Sequence, residues 1–223
     1  MQFLYEQLCG GQTLHIEGEN YNYLVKARRC KEGDEISLRN LVDEFLYSYK
    51  IVSISKKSVQ LELASKVVSE QIPSKKLNII WCLVDPKTVE KELPSLNQIG
   101  ISKISFVKCD FSQGNFEPNL ERLKKILVNS CMQCGRSDLM QLEIISKKEM
   151  IAKKFAIIDF STQKINKKIW DFDTFLVGPE GGFSQKEKEA FSSITTFGFD
   201  TNLILRSETA VGALGAIYLL GNY

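Results

Sequence analysis

Two short segments near the C-terminal end hold residue types able to bind a small ligand and to move a proton or steady a charge. The first is Val177-Gly178-Pro179-Glu180-Gly181-Gly182-Phe183-Ser184, an apolar stretch running into three glycines and a carboxylate. The second is Leu203-Ile204-Leu205-Arg206-Ser207-Glu208-Thr209-Ala210, an apolar stretch running into a cation, a hydroxyl and a carboxylate. Glycine permits backbone conformations and close approaches that side chains forbid. An Arg and a Glu at a strand-to-helix junction are costly to desolvate unless paired or used on a ligand. Together the segments suit a nucleotide-type cofactor beside acid–base or electrostatic chemistry. The plain alternatives are a tight glycine turn and a salt bridge at a helix start. Neither segment follows Gly-x-Gly-x-x-Gly or Gly-x-x-x-x-Gly-Lys-Ser/Thr, so dinucleotide and phosphate-loop readings lack support.

The surrounding pattern predicts the elements that position these residues. Asp173–Val177 reads as a strand, and Ser184 with Glu187 forms a capping box for a helix over Ser184–Phe191. Asn202–Leu205 reads as another strand, with Ser207 capping a helix over Ser207–Leu220. That helix carries Ala210, Gly212, Ala213, Gly215 and Ala216, which let a neighbouring backbone or a second subunit come close. Upstream, Leu77–Val84, Ile104–Val107 and Phe155–Asp159 read as buried strands, and Val89–Ile99 and Pro118–Met132 as helices. Alternating strands and helices predict an α/β domain with a mainly parallel sheet. The earlier part reads as β, with strands over Glu35–Leu38, Phe45–Ile54 and Ser58–Leu63, a turn at Lys56-Lys57 and a short helix or turn over Asn20–Arg29. The expected division is 1–68 as a small β domain, 69–76 as a polar linker containing Pro73, and 77–223 as the α/β domain.

The chain has 223 residues and a formal net charge of +2. It carries 11 basic and 10 acidic residues through Lys76, then 18 and 17 beyond, so a nucleic-acid surface must come from local clustering. The N-terminal residues show no basic, apolar signal-peptide pattern, and no apolar run reaches the roughly 18 residues of a membrane span. A cytoplasmic protein with reduced cysteines is expected, and no membrane partner. Cys131 and Cys134 form the sole Cys-x-x-Cys spacing, and His15 is the sole histidine, so no metal is expected.

The two C-terminal segments, about 20 residues apart, resemble the signature of the bacterial 16S rRNA uracil-N3 methyltransferase family, of the SPOUT class. Cys131-Met132-Gln133-Cys134-Gly135-Arg136 is similar to that family's Cys-Glu-Gln-Cys-Gly-Arg region, and Arg29 fits the end of its N-terminal basic motif. Met132, Arg39-Asn40-Leu41, Gln98-Ile99-Gly100 and Phe111-Ser112 depart from the family's usual residues. The resemblance implies a C-terminal trefoil-knotted methyltransferase domain and an N-terminal PUA-like β-barrel. It implies S-adenosylmethionine as methyl donor, S-adenosylhomocysteine as product and no metal. The cofactor would lie on Leu176, Val177, Gly178, Gly182, Leu203, Leu205, Ser207 and Ala210. Arg206 would stabilise charge on the uracil, Glu208 would orient Arg206 or accept a proton, and Glu180 is the alternative base. Lys26, Arg28, Arg29, Arg122, Gln133 and Arg136 would contact RNA. The implied partners are 16S rRNA within the small ribosomal subunit and a second copy of the chain. Competing readings are a SPOUT methyltransferase for another RNA site, a non-catalytic RNA-binding or ribosome-assembly protein, and a nucleotide-binding α/β regulator.

Overall fold

The computed structural model describes residues 2–113 and 117–221. It divides into two compact units, one formed by the chain up to Ile72 with Val128–Leu139, the other by Pro73–Leu127 and Met140 onward.

In the first unit, alternation of apolar and polar residues builds a five-stranded sheet: β1 (Leu4–Tyr5), β2 (Thr13–Glu17), β3 (Glu35–Arg39), β4 (Phe45–Ile54) and β5 (Ser58–Val68), in the order β1-β3-β4-β5-β2. Val59 and Leu61 of β5 and Tyr47, Tyr49 and Ile51 of β4 turn inward, one side of each pleat. The buried Tyr49 hydroxyl donates to Gly11 O (2.7 Å) and accepts from Gly10 N–H (2.9 Å), so its polar end is satisfied. Between β2 and β3 lies a short helix, α1 (Gly18–Tyr21), which widens into a π-helical turn over Asn22–Ala27. In the Arg39-Asn40-Leu41 turn, Leu41 takes φ +59°, and Asn40 Oδ1 accepts the N–H groups of Val42 (2.9 Å) and Asp43 (3.2 Å). Val128–Leu139 joins this unit through Gln2 N–H to Met132 O (2.8 Å), Ser137 N–H to Gln71 O (2.9 Å) and Gln71 N–H to Ser137 Oγ (2.9 Å).

The second unit is α/β. Its strands are β6 (Asn78–Cys82), β7 (Lys103–Val107), β8 (Gln141–Ile145), β9 (Ala156–Ile158), β10 (Thr174–Val177) and β11 (Thr196–Phe197). Every pair is parallel, in the order β11-β9-β10-β6-β7-β8. The central strands are buried on both faces, which is why Ile79–Val84 is continuously apolar. The helices are α2 (Pro86–Ile99), α3 (Leu120–Cys134, of which the residues from Val128 on belong to the first unit), α4 (Lys147–Ile151), α5 (Gln185–Ala190) and α6 (Ser207–Gly215). Asp85 caps α2 and Gly100 ends it at φ +107°. Gly215 lets α6 approach the end of α2: a Cβ there would stand 3.2 Å from Ile99 Cγ2. Gly212 meets no such neighbour.

Three expectations are corrected here. Asn202–Leu205 forms no strand, because the chain leaves the sheet after Phe197 and Leu203 and Ile204 are exposed. An apolar triplet reads alike whether it faces a core or an open cavity. Ser207 is not a cap; α6 starts from Arg206, and Ser207 is its first residue. Cys82, the last residue of β6, and Cys109, two residues past the end of β7, are paired as a disulfide where reduced thiols were expected, their Cα atoms 5.8 Å apart.

Candidate active site

Strand β10 ends at Val177 and passes into the glycine loop. Gly182 closes it with φ +71°, its N–H reaching Pro179 O (2.9 Å). Ser184 then caps α5 by the predicted capping box, with Ser184 Oγ accepting Glu187 N–H and Glu187 accepting Ser184 N–H. Gly178 leaves room for Phe183: a Cβ on Gly178 would lie 3.1 Å from the end of that ring. Phe183 in turn packs edge-on against Phe191, 5.3 Å between centroids. Ser207 ties the second segment to the first, donating to Gly178 O (2.6 Å) and accepting from Trp81 Nε1 (2.9 Å).

A second set of contacts braces the glycine loop from outside. Lys147 Nζ reaches Asp110 Oδ1 (2.6 Å) and Glu187 Oε1 (2.7 Å). Ser184 Oγ donates to Asp110 Oδ2 (2.5 Å), and Asp110 N–H donates to Glu187 Oε1 (2.9 Å). The Lys147 ammonium and the Ser184 hydroxyl hold the Asp110 carboxyl below its usual range. Burial pushes the Glu187 carboxyl up, but Lys147 and two backbone N–H groups outweigh it and bring it down. Burial likewise opposes the Lys147 charge, and the two carboxylates overcome it and raise its pKa.

The loops enclose an open cavity of about 1240 Å³. Its walls come from three places: Ile157–Thr162 with Lys164, Val177–Phe183 and its α5 neighbours, and the run from Thr196 to Ser207 with Ala210. Of the predicted cofactor residues, Val177, Gly178, Gly182, Leu203, Leu205, Ser207 and Ala210 line it, as does Glu180. Leu176 does not; it is fully buried in the hydrophobic core. The wall made by Ile157–Thr162 with Lys164 was missed by sequence reasoning. Its signal was Phe197-Gly198-Phe199, where a Cβ on Gly198 would fall 2.7 Å from Ser161 O, so two chain segments cross at a point only glycine allows.

Among the predicted acid–base residues, Arg206 is exposed and has no hydrogen-bond or ion-pair partner among the described residues. Glu208 is half-buried, and its Oε2 is enclosed without a hydrogen-bond partner. The two side chains form no ion pair. Glu180 is exposed on the cavity wall.

The predicted RNA residues occupy different settings. Lys26, Arg28, Arg29 and Gln133 are exposed in the first unit, Arg29 at φ +57°. Arg136 is buried, with Nε and Nη2 forked onto Asp138 at 2.8 and 3.0 Å. In the second unit, Arg122 is exposed and paired with Glu90, Nη2 to Oε2 at 2.7 Å. Among the described residues no three His, Cys, Asp or Glu converge as a metal site, and no helix is long and apolar enough to cross a membrane.

Residues 70–219 match the RNA methyltransferase domain family, and residues 16–64 match the RNA methyltransferase PUA domain. Ribosomal RNA small subunit methyltransferase E of Helicobacter pylori is 40% identical over 217 residues, covering 94% of this chain and 96% of the relative. The chain belongs to that methyltransferase family. A more distant member, ribosomal RNA small subunit methyltransferase E 2 of Borreliella burgdorferi, is 24% identical over 92% of this chain and 89% of its own. The fold agrees with that of ribosomal RNA small subunit methyltransferase E from Neisseria gonorrhoeae, a structure bound to S-adenosyl methionine. Its TM-score is 0.80 at 20% identity, covering 99% of this chain and 98% of that one.

Proposed function

We propose that this chain transfers a methyl group from S-adenosylmethionine to N3 of a uridine in 16S rRNA of the small ribosomal subunit. The observation that carries the reading is the 40% identity, over nearly the full length of both chains, to the Helicobacter pylori family member. The cavity fits the cofactor. Val177, Gly178 and Leu203–Leu205 line it, and its volume of about 1240 Å³ has room for a bent nucleoside. We place the trefoil knot where the three cavity-forming segments converge, and read residues 1–68 as the PUA-like module that presents RNA.

When bound, S-adenosylmethionine supplies a methyl carbon activated by its sulfonium. The chain's residues do the rest. The backbone of the glycine loop and Leu203–Leu205 orients the adenosine, and Ser207 fixes the distance between those segments through Gly178 O. Uracil N3 is a poor nucleophile until its proton leaves. Arg206, unpaired at the start of α6, stabilises the charge that spreads onto the uracil carbonyl oxygens. Glu208 takes the proton or steers Arg206 once RNA is bound, with Glu180 as the alternative base. Aligning N3 with the methyl group is a positioning effect.

Lys26, Arg28, Arg29 and Gln133 meet RNA from the first unit and Arg122 from the second, through phosphate contacts that are salt-dependent and sequence-independent. Arg136, forked onto Asp138, shapes the turn after α3 in this reading. N3 of a paired uracil is hidden, so the target base is unpaired or flipped. A homodimer is expected, with the open face of Gly212 available to a second subunit, and the protein is expected to work in the cytoplasm.

The test is methyl transfer to small subunits lacking the modification, followed by nucleoside mass spectrometry. A 3-methyluridine signal supports the reading. Another methylated nucleoside would move the assignment to a different RNA site. Failure to bind the cofactor at all would favour a non-catalytic RNA-binding protein.

A further inference from the structure

Phe111 is an exposed aromatic outside the core, in a turn pinned by hydrogen bonds. It sits in a turn closed by Ser112 N–H to Cys109 O (3.1 Å) and Cys109 N–H to Ser112 Oγ (2.8 Å). Asp110, its neighbour, is clasped by Lys147, Ser184 and Glu187. The side chain packs on the glycine loop: a Cβ on Gly181 would stand 3.1 Å from Phe111 Cβ and 3.7 Å from Cγ. Gly181 and its neighbour Glu180 line the cavity, so the ring is one backbone thickness away from it. Despite this seat, Phe111 is 55% exposed.

We infer that Phe111 is the platform on which the pyrimidine to be methylated stacks. The inference rests on the methyltransferase reading above. A base taken out of its helix loses its stacking neighbours and is held in protein sites by aromatic faces. Such a face must be open to solvent before RNA arrives, rigid enough to hold the base in register, and close to the donor. Phe111 meets these conditions: the residue is 55% exposed, its turn is closed between Cys109 and Ser112 with Asp110 pinned beside it, and its side chain sits on Gly181, which lines the cavity. Every base has a π-face, so the platform supplies grip and orientation, and discrimination among bases is left to polar groups such as Glu180, Arg206 and Glu208.

The test compares full-length wild type with Phe111→Ala, Phe111→Leu and Phe111→Trp. Methyl transfer to unmodified small subunits gives kcat and KM for RNA, calorimetry gives the cofactor Kd, and a melting curve confirms folding. Base–aromatic stacking of about 1–3 kcal/mol predicts a roughly 5- to 150-fold loss of kcat/KM for RNA in Phe111→Ala and Phe111→Leu. Cofactor Kd should stay within about twofold, and Phe111→Trp should keep wild-type transfer. Wild-type transfer by Phe111→Leu overturns the inference, since any apolar side chain would then serve. So does a loss of cofactor affinity in step with transfer, which would make Phe111 a support for the glycine loop. A wild-type chain that binds cofactor and methylates no RNA overturns the functional reading itself, and the inference with it.

Discussion

The two loops that wall the cavity are built in opposite ways. The glycine loop is braced on every side: a capping box at Ser184 and Glu187, a buried Phe183, and a clasp of Lys147 and Asp110 reached from two other elements. The Leu203–Arg206 segment stands on Leu203 N–H to Thr201 Oγ1 (3.0 Å) at one end and on Ser207 at the other. Leu203 and Ile204 are 73% and 82% exposed, and Arg206 has no partner among the described residues. A braced loop presents its backbone groups without an ordering cost at the moment of binding, which suits recognition of a fixed cofactor. A bare loop keeps its apolar side chains and its cation uncommitted until a ligand covers them. Under the proposed function the difference would divide the labour: the first loop holding the cofactor, the second supplying the cation that acts on the base.

Removing the cation from the bare loop tests this division most severely. Arg206→Ala should lower kcat by roughly 10²- to 10³-fold, the usual result of deleting a donor aimed at developing charge. Cofactor Kd measured by calorimetry should change little, because Arg206 lies outside the cavity lining. Equal loss of both would place Arg206 in cofactor binding and erase the distinction between the loops.

The crossing behind both loops should show the next largest effect. Gly198→Ala drives a methyl group to within 2.7 Å of Ser161 O, a backbone atom that cannot step aside. Overpacking of this kind costs about 1–3 kcal/mol, or roughly 2–12 °C in melting temperature for a chain of this size. Gly182→Ala provides the contrast. Nothing lies within 4 Å, so its effect comes from φ +71° alone and should be the smaller of the two. A milder result at Gly198 than at Gly182 would mean that the crossing can relax.

Much of this was legible in the sequence, and the parts that were not share a cause. The parallel strands announced themselves as apolar runs, and both capping residues of the glycine segment stand three residues apart in the chain. Local pattern suffices for such features. The clasp could not be seen, because Lys147 is 37 residues from Asp110 and 40 from Glu187. Ser207 was misread as a cap for the same reason; its real partners, Trp81 and Gly178, are brought to it by the sheet. Strand β8 escaped notice because it lies at the sheet edge, mostly solvent-facing and interrupted by Glu143, and helix α4 because its five residues make little more than one turn. The apolar triplet Leu203–Leu205 misled in the other direction: its composition is that of a strand, and only the tertiary structure reveals that its side chains serve a cavity.

Opening the clasp should have a moderate effect that falls on holding rather than on reaction. Lys147→Ala leaves Asp110 and the buried Glu187 facing each other without their shared cation. Cofactor Kd should rise several-fold, with kcat at saturating cofactor within about twofold of wild type, since only the positioned backbone is disturbed. A fall in kcat with unchanged Kd would show that the brace acts on the reacting groups and not on the loop.

The smallest effect is also the most specific to the clasp, because its sign is fixed by ionisation. Asp110 and Glu187 titrate below their ordinary values, so their contribution to stability is complete above the ordinary carboxylate range, about pH 4, and is lost as pH falls through the lower folded values. Lys147 titrates above its ordinary value, so its contribution is complete below about pH 10.4 and lost only above that. The gap in melting temperature between wild type and Lys147→Ala should therefore be flat from about pH 5 to 9 and should close below pH 4. Half-exposed ion pairs contribute about 0.2–1 kcal/mol, so the gap itself should be no more than about 4 °C. Glu143, held down to about 2 by Lys103, Ser105 and Lys153 against the opposing effect of burial, is present in both proteins and cancels in the difference. A gap that persists unchanged to pH 3 would mean that Lys147 braces the loop through its aliphatic stem, and the braced loop would then owe its order to packing rather than to charge.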